Sequence, residues 1–153
     1  MIRRSIALCL SLMFSLSFFF STDVAAQEKE WVFFVKDSLF NHYYDKASVN
    51  HLPEGIVQVI IRVEPQGKEG YDLLMKVRKE KGFLMGGYEE YQYTLKAIEI
   101  NCVEKTRNTL DQSDYAINGR LLDSVRAVQR HWVRFEDDAI DAFYHQVLCE
   151  EKK

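Results

Sequence analysis

Cys102 and Cys149 are the side chains in this sequence with the most definite chemistry. They are the two cysteines that remain once a secretory leader is set aside, and in an oxidising compartment such thiols pair. Neither sits in a Cys-x-x-Cys motif, so a structural disulfide is expected rather than a redox couple. His42, His51, His131 and His145 form no His-x-x-His or His-x-x-x-His pair, and none stands in ligand spacing with a cysteine, so no metal site is expected. Ser48 and Ser124 lie in no nucleophile-elbow context, and no glycine-rich phosphate loop is present. Asp45, Glu99 and Glu104 form no recognisable carboxylate pair with split pKa values. The chemistry expected is that of a non-enzymatic protein without a cofactor.

Two groups of residues suit recognition instead. Tyr43, Tyr44, Tyr88, Tyr91 and Tyr93 combine large apolar bodies with polar tips, as contact patches do. The competing reading packs these aromatics between a sheet and a helix. Lys76, Arg78, Lys79 and Lys81 form a basic stretch suited to an acidic partner or an anionic lipid. The alternative is a solvated helix face, since Asp72 and Glu80 dilute the charge. Tyr43, Tyr44, Lys76, Arg78, Lys79 and Lys81 are therefore the candidate partner-binding residues.

The N-terminus reads as an export signal. Arg3 and Arg4 precede an apolar run from Ile6 to Phe20, and Val24-Ala25-Ala26 offers small residues for cleavage before Gln27. That run is shorter than the ~20 residues a permanent membrane helix needs. Cys9 follows the large Leu8 inside the run, which argues against lipidation there. The expected organisation is a signal peptide over 1–26 and one domain over 27–153, with membrane contact only through the signal before cleavage. Removing 1–26 takes the formal charge from −3 to −4. A mildly acidic chain lacks the basic footprint of a general nucleic-acid binder.

The elements that must position these residues follow from periodicity. Trp31 to Val35 and Phe40 to Tyr44 read as antiparallel strands. In Ile56 to Glu64, Val57, Val59, Ile61 and Val63 share one face. Tyr71 to Lys81 reads as a short inserted helix with a Leu73, Leu74 and Val77 stripe and Gly82 as its cap. In the strand beginning at Tyr91 the apolar phase flips beyond Ala97, which predicts a bulge or a strand covered on both faces. Asn118-Gly119 predicts a type I′ hairpin, and Arg126 to Phe135 a further strand. The chain closes on a helix capped by Asp137 or Asp138, with Ile140, Phe143, Tyr144, Val147 and Leu148 as its apolar stripe.

The fold class expected is α+β: a curved antiparallel sheet of about six strands with a C-terminal helix disulfide-tethered to one face. Bridging Cys102 to Cys149 contributes on the order of 4 kcal/mol in the chain-entropy estimate. Cys149 falls about 180° from Ile140 on an ideal helix, so the helix is expected to end or unwind before it.

The ordered set of motifs resembles the surface-adhesin protein E family of bacterial envelope proteins. The residues carrying the resemblance are Trp31, Tyr43-Tyr44-Asp45 with Ser48-Val49, Tyr91-x-Tyr93-x-Leu95 and Glu99-Ile100-Asn101-Cys102. Tyr115 before Asn118-Gly119, Trp132, Ile140 to Tyr144, and Val147-x-Cys149 complete it. Phe135-Glu136-Asp137-Asp138-Ala139 departs from the Pro-x-Ser helix entry of the family. The resemblance implies the same sheet and tethered helix. It also implies adhesion to a host extracellular or envelope protein, in the periplasm or at the surface of a Gram-negative bacterium, with Tyr71–Lys81 as a variable segment suited to partner specificity. An exposed edge strand also allows a homodimer by strand pairing. The alternatives are a periplasmic small-molecule binder and a structural envelope protein.

Overall fold

Alternating apolar residues carry the chain into one antiparallel sheet, which the computed structural model describes over residues 29–135 and 140–150. The strands are β1 (Trp31–Lys36), β2 (Phe40–Asp45), β3 (Asn50–His51), β4 (Ile56–Pro65), β5 (Tyr91–Asn101), β6 (Thr106–Ala116), β7 (Leu121–Arg126) and β8 (Val133–Arg134). Helix α1 (Gly67–Glu80) follows β4, and α2 (Ile140–Glu150) closes the fold. The order across the sheet is β1-β2-β4-β5-β6-β7, with β3 beside β4 and β8 beside β6. The expected signal segment 1–26 with Cys9, and the helix-capping Asp137 and Asp138, lie outside the described residues.

The core lies on one face. Val57, Val59 and Ile61 of β4 stand opposite Ile100, Ile98 and Lys96 of β5, and the apolar side chains among them pack with Tyr44, Tyr144 and Leu148. On β5 the phase flip is real: Tyr93 and Leu95 point to one face, Ile98 and Ile100 to the other. The register shift beside it belongs to the partner strand, where Leu110 of β6 is the extra residue between Asp111 and Thr109. The Leu110 carbonyl accepts from Ala127 N at 2.9 Å, as the chain leaves β7.

Several local expectations change. The Asn118-Gly119 hairpin forms, but with a three-residue loop in which Gly119 alone has positive φ (78°). That is the type I turn with a bulge rather than type I′. Arg126 to Phe135 is not one strand. β7 pairs β6 at one end and β8 pairs it at the other, and the intervening 127–132 segment crosses a buried polar cluster that a straight strand would leave open. Helix α1 starts at Gly67 and buries Gly70 and Arg78, leaving Leu73 and Val77 exposed. Its end is as expected: Gly82 N bonds Lys79 O and Phe83 N bonds Arg78 O, both at 3.1 Å, a Schellman closure with Gly82 at φ 72°.

Cys102 and Cys149 are bridged, with Cα atoms 5.7 Å apart and a sequence separation of 47. Contrary to expectation, α2 continues through Cys149 to Glu150. The helix is instead rotated so that Tyr144 and Leu148 centre its buried arc and Phe143 is exposed. Cys149 then lies about 100° from Leu148, at the flank of the arc, where its sulfur reaches the sheet without unwinding. His145 hydrogen-bonds the Cys102 carbonyl at 3.0 Å and helps set that rotation.

Replacing both cysteines by Ala should lower stability by about 2–4 kcal/mol and speed amide exchange in α2 before the rest of the fold. An unchanged denaturant midpoint would show that packing alone holds the helix. Gly70→Ala should also destabilise, by about 1–3 kcal/mol, because an added Cβ falls on the Leu39 carbonyl. Thermal unfolding of the variant checks it.

Candidate functional site

Because successive strand residues point to opposite faces, the residues between the core positions form a second surface. Phe33 stands opposite Tyr43, Tyr43 opposite Arg62, Arg62 opposite Leu95, and Tyr93 opposite Tyr115. Both helices lie on the core face, so among the described residues only the 127–132 crossing reaches over the second face, at its far end. The outcome is an aromatic stripe across five strands. Phe33 meets Tyr43 edge-on at 5.5 Å, and Tyr93 stacks on Tyr115 at 5.2 Å. Phe33 is 52% exposed.

Arg62 sits within this stripe. Its guanidinium lies 4.2 Å from the Tyr93 ring centre and 5.7 Å from that of Trp31, within cation–π range of both. Nη2 is ion-paired with Glu64 Oε1. Nε is buried and has no hydrogen-bond partner among the described residues. Trp31, Tyr43, Arg62 and Glu64 line an open cavity of about 180 Å³.

The candidate residues divide. Tyr43 is half-buried on the open face. Tyr44 points the other way and is core, 9% exposed, so it offers no partner surface. Tyr88 and Tyr91 are buried too. Lys76, Lys79 and Lys81 are exposed on and after α1, but Arg78 is an anchor. Arg78 Nη1 donates to Asp114 Oδ2 at 2.6 Å and Nη2 to Asp123 Oδ2 at 2.7 Å, while its guanidinium lies over the Tyr88 ring. The same Asp114 carboxylate accepts from Tyr88 at 2.6 Å and Thr94 at 2.5 Å. Since Thr94 donates to Asp114, the Tyr91 hydroxyl donates to Thr94. Burial raises the Tyr88 phenol far above its ordinary pKa, and the Asp114 carboxylate adds to it. Sequence spacing hides this network, because its members are brought together from α1, β5, β6 and β7.

A second buried carboxylate lies under the 127–132 crossing. Glu99, fully buried, accepts from Gln58 at 3.0 Å, Asn108 at 3.0 Å and Arg130 at 2.9 Å. Burial acts to raise its pKa, but the hydrogen bonds from Asn108 and Gln58 and the Arg130 charge outweigh it and hold it below its ordinary value. Asp45 is spent elsewhere, capping the Lys46–Ser48 turn through Ala47 N. His42 is buried between Tyr144 (3.1 Å) and Asp37 (3.4 Å), and burial lowers its pKa. His51 lines a cavity of about 200 Å³ beside the disulfide. Among the described residues no group of three or more His, Cys, Asp or Glu is placed to hold a metal ion, and no helix is long and apolar enough to cross a membrane.

The family model for surface-adhesin protein E matches residues 31–150. No curated protein sequence matches the chain. Among solved structures, protein E of Haemophilus influenzae in its selenomethionine form superposes with a TM-score of 0.51 at 14% identity, covering 79% of this chain and 86% of the other. A second crystal form of the same protein gives 0.52 at 14% identity, covering 78% and 87%. At that identity the superposition establishes the shared fold.

Arg78→Ala should cost about 3–5 kcal/mol in urea unfolding, since it strands a buried carboxylate. Lys79→Ala beside it should stay within about 0.5 kcal/mol. Glu99 has a folded pKa below its unfolded value of 4.5. Its contribution is therefore complete above that value and is lost as pH falls through the folded one. Between about pH 5 and pH 3 the wild type should lose more stability than Glu99→Gln, measured by denaturant titration at each pH.

Proposed function

The chain belongs to the surface-adhesin protein E family, and from that premise we propose that it is an exported, non-enzymatic adhesin-like module. It contacts a host extracellular or envelope protein through the uncovered face of its sheet. The observation that carries this reading is the aromatic stripe of Phe33, Tyr43, Tyr93 and Tyr115 around Arg62. Aromatic and arginine side chains dominate the energetics of protein contacts, and a polar-rimmed apolar patch on an exposed surface is characteristic of an interaction site.

Tyr43 keeps its proposed role, joined by neighbours that sequence spacing did not single out. Lys76 and Lys79 of α1, and Lys81 just after it, lie on the other side of the sheet and supply at most a second surface. β1 and β7 end the described strand order, which allows strand-to-strand pairing with a partner or a second copy. Export through a leader over 1–26 completes the proposal. A small-molecule binder held between helix and sheet is less favoured, because the cavity at that junction is lined by Leu52, Ile56, Val57, Leu148 and the disulfide, with His51 as its one strongly polar side chain, and lacks the convergent polar groups that fix a ligand.

Protease treatment of intact producing cells should digest the domain. Purified mature protein should bind one or more immobilised host matrix proteins, with Phe33→Asp and Tyr115→Ala weakening the binding at least tenfold and Lys79→Ala leaving it within twofold. Protection until the outer membrane is permeabilised, or equal binding by all three variants, would overturn the reading.

A further inference from the structure

The cavity bounded by Trp31, Tyr43, Arg62 and Glu64 has a chemistry more specific than a flat aromatic surface. Its two aromatic residues present apolar ring surface. Its two charged lining residues are paired with each other, so the lining itself carries no net charge, and Lys29 stands at the rim with Nζ 5.7 Å from the Trp31 ring centre. An anionic ligand group would meet Glu64, and a cationic one would meet Arg62. An apolar side chain would leave the free carboxylate lone pairs of Glu64 without a donor. The ligand that fits must be uncharged, must both donate and accept hydrogen bonds, and must carry an apolar surface for the rings. A hydroxyl donates and accepts at once, and a pyranose ring combines several hydroxyls with a face of C–H groups. The volume, about 180 Å³, lies below the ~300 Å³ of drug-sized pockets and suits a single ring.

We propose that this cavity is a glycan subsite that seats one uncharged pyranose ring, stacked on Trp31 or Tyr43 and hydrogen-bonded to Arg62 and Glu64. The inference rests on the contact face proposed above and names the partner chemistry at one point of it. The rest of the oligosaccharide runs over the Tyr93–Tyr115 stack, which continues the aromatic surface beyond Arg62. The Glu64 carboxylate sets the selectivity, by excluding sialylated and sulfated rings.

The test is binding of the mature protein to an array of immobilised oligosaccharides. One arm carries mammalian glycans with neutral terminal hexoses, a second their sialylated analogues, and a third bacterial polysaccharide fragments. Neutral hexose-terminated spots should be retained in preference to sialylated ones, and the first and third arms separate host from bacterial sources. Trp31→Ala and Arg62→Lys should each weaken retention at least tenfold. Glu64→Gln, which preserves shape while removing the negative charge, should shift preference toward the sialylated spots, a change that mere loss of folding cannot produce. Absence of neutral-glycan binding, or retention unchanged in these variants, would overturn the subsite. Enzymatic deglycosylation of a bound matrix glycoprotein separates the two readings. Binding that survives on the bare polypeptide and still weakens in Phe33→Asp keeps the adhesin reading and overturns the subsite. Binding to free glycans but to no deglycosylated protein supports the subsite and overturns the direct protein contact.

Discussion

The apolar face built by Val57, Val59, Ile61, Ile98 and Ile100 is the constraint on which the rest of this structure depends. Left in water, each such side chain forfeits about 1.5–3 kcal/mol, so the two central strands require a cover. Helix α2 provides it with Tyr144 and Leu148, and the Cys102–Cys149 bridge ties its last turn to the end of β5. Phe34 reaches the same core from β1, with its ring 4.7 Å from that of Tyr144. With both helices on that face, only the 127–132 segment among the described residues reaches over the opposite one.

Helix α1 shares the core face but is held by a different force. Its apolar residues Leu73 and Val77 stay exposed, and its inward anchor is a guanidinium. Burying a charge is costly unless its partners are nearly ideal. Here Asp114 and Asp123 both bond Arg78, while Tyr88 and Thr94 also donate to the Asp114 carboxylate. Gly70 lets the first half of the helix approach the Leu39 carbonyl, where no side chain has room. The helix is thus positioned by geometry at one end and by a buried ion-paired network at the other, in which Arg78 Nε has no hydrogen-bond partner among the described residues. Glu99 under the 127–132 crossing uses the same device, with Gln58, Asn108 and Arg130 as its donors.

The open face differs from the core in how its aromatics are used. Tyr44 and Tyr144 are packed, whereas Phe33, Tyr43, Tyr93 and Tyr115 form a partly exposed stripe whose one charged member, Arg62, is neutralised by Glu64. A surface of this kind is aromatic without being strongly charged. That agrees with a chain whose formal charge is only −3, and with its membership of a surface-adhesin family.

Much of this was legible in the sequence. Period-two alternation placed β4 and the two halves of β5, and Cys102 and Cys149 named the disulfide. Asn118-Gly119 marked the hairpin, and the ordered motifs pointed to the family. These are local signals, or, for Cys102 and Cys149, a pairing that also fits the order of the motifs. Alternation shows that Tyr43 and Tyr44 face opposite ways, but not which of the two faces a helix will cover. That choice is made by contacts between distant segments, such as His42 with Tyr144, 102 residues apart. Likewise nothing near Arg78 in sequence distinguishes it from Lys76 and Lys79; only folding brings Asp114, 36 residues on, within 2.6 Å of its guanidinium. The sequence by itself determined which residues alternate, turn and cross-link. Tertiary structure alone decided which face was sealed and which charge went inside, because both depend on the desolvation of groups that meet only when the sheet is assembled.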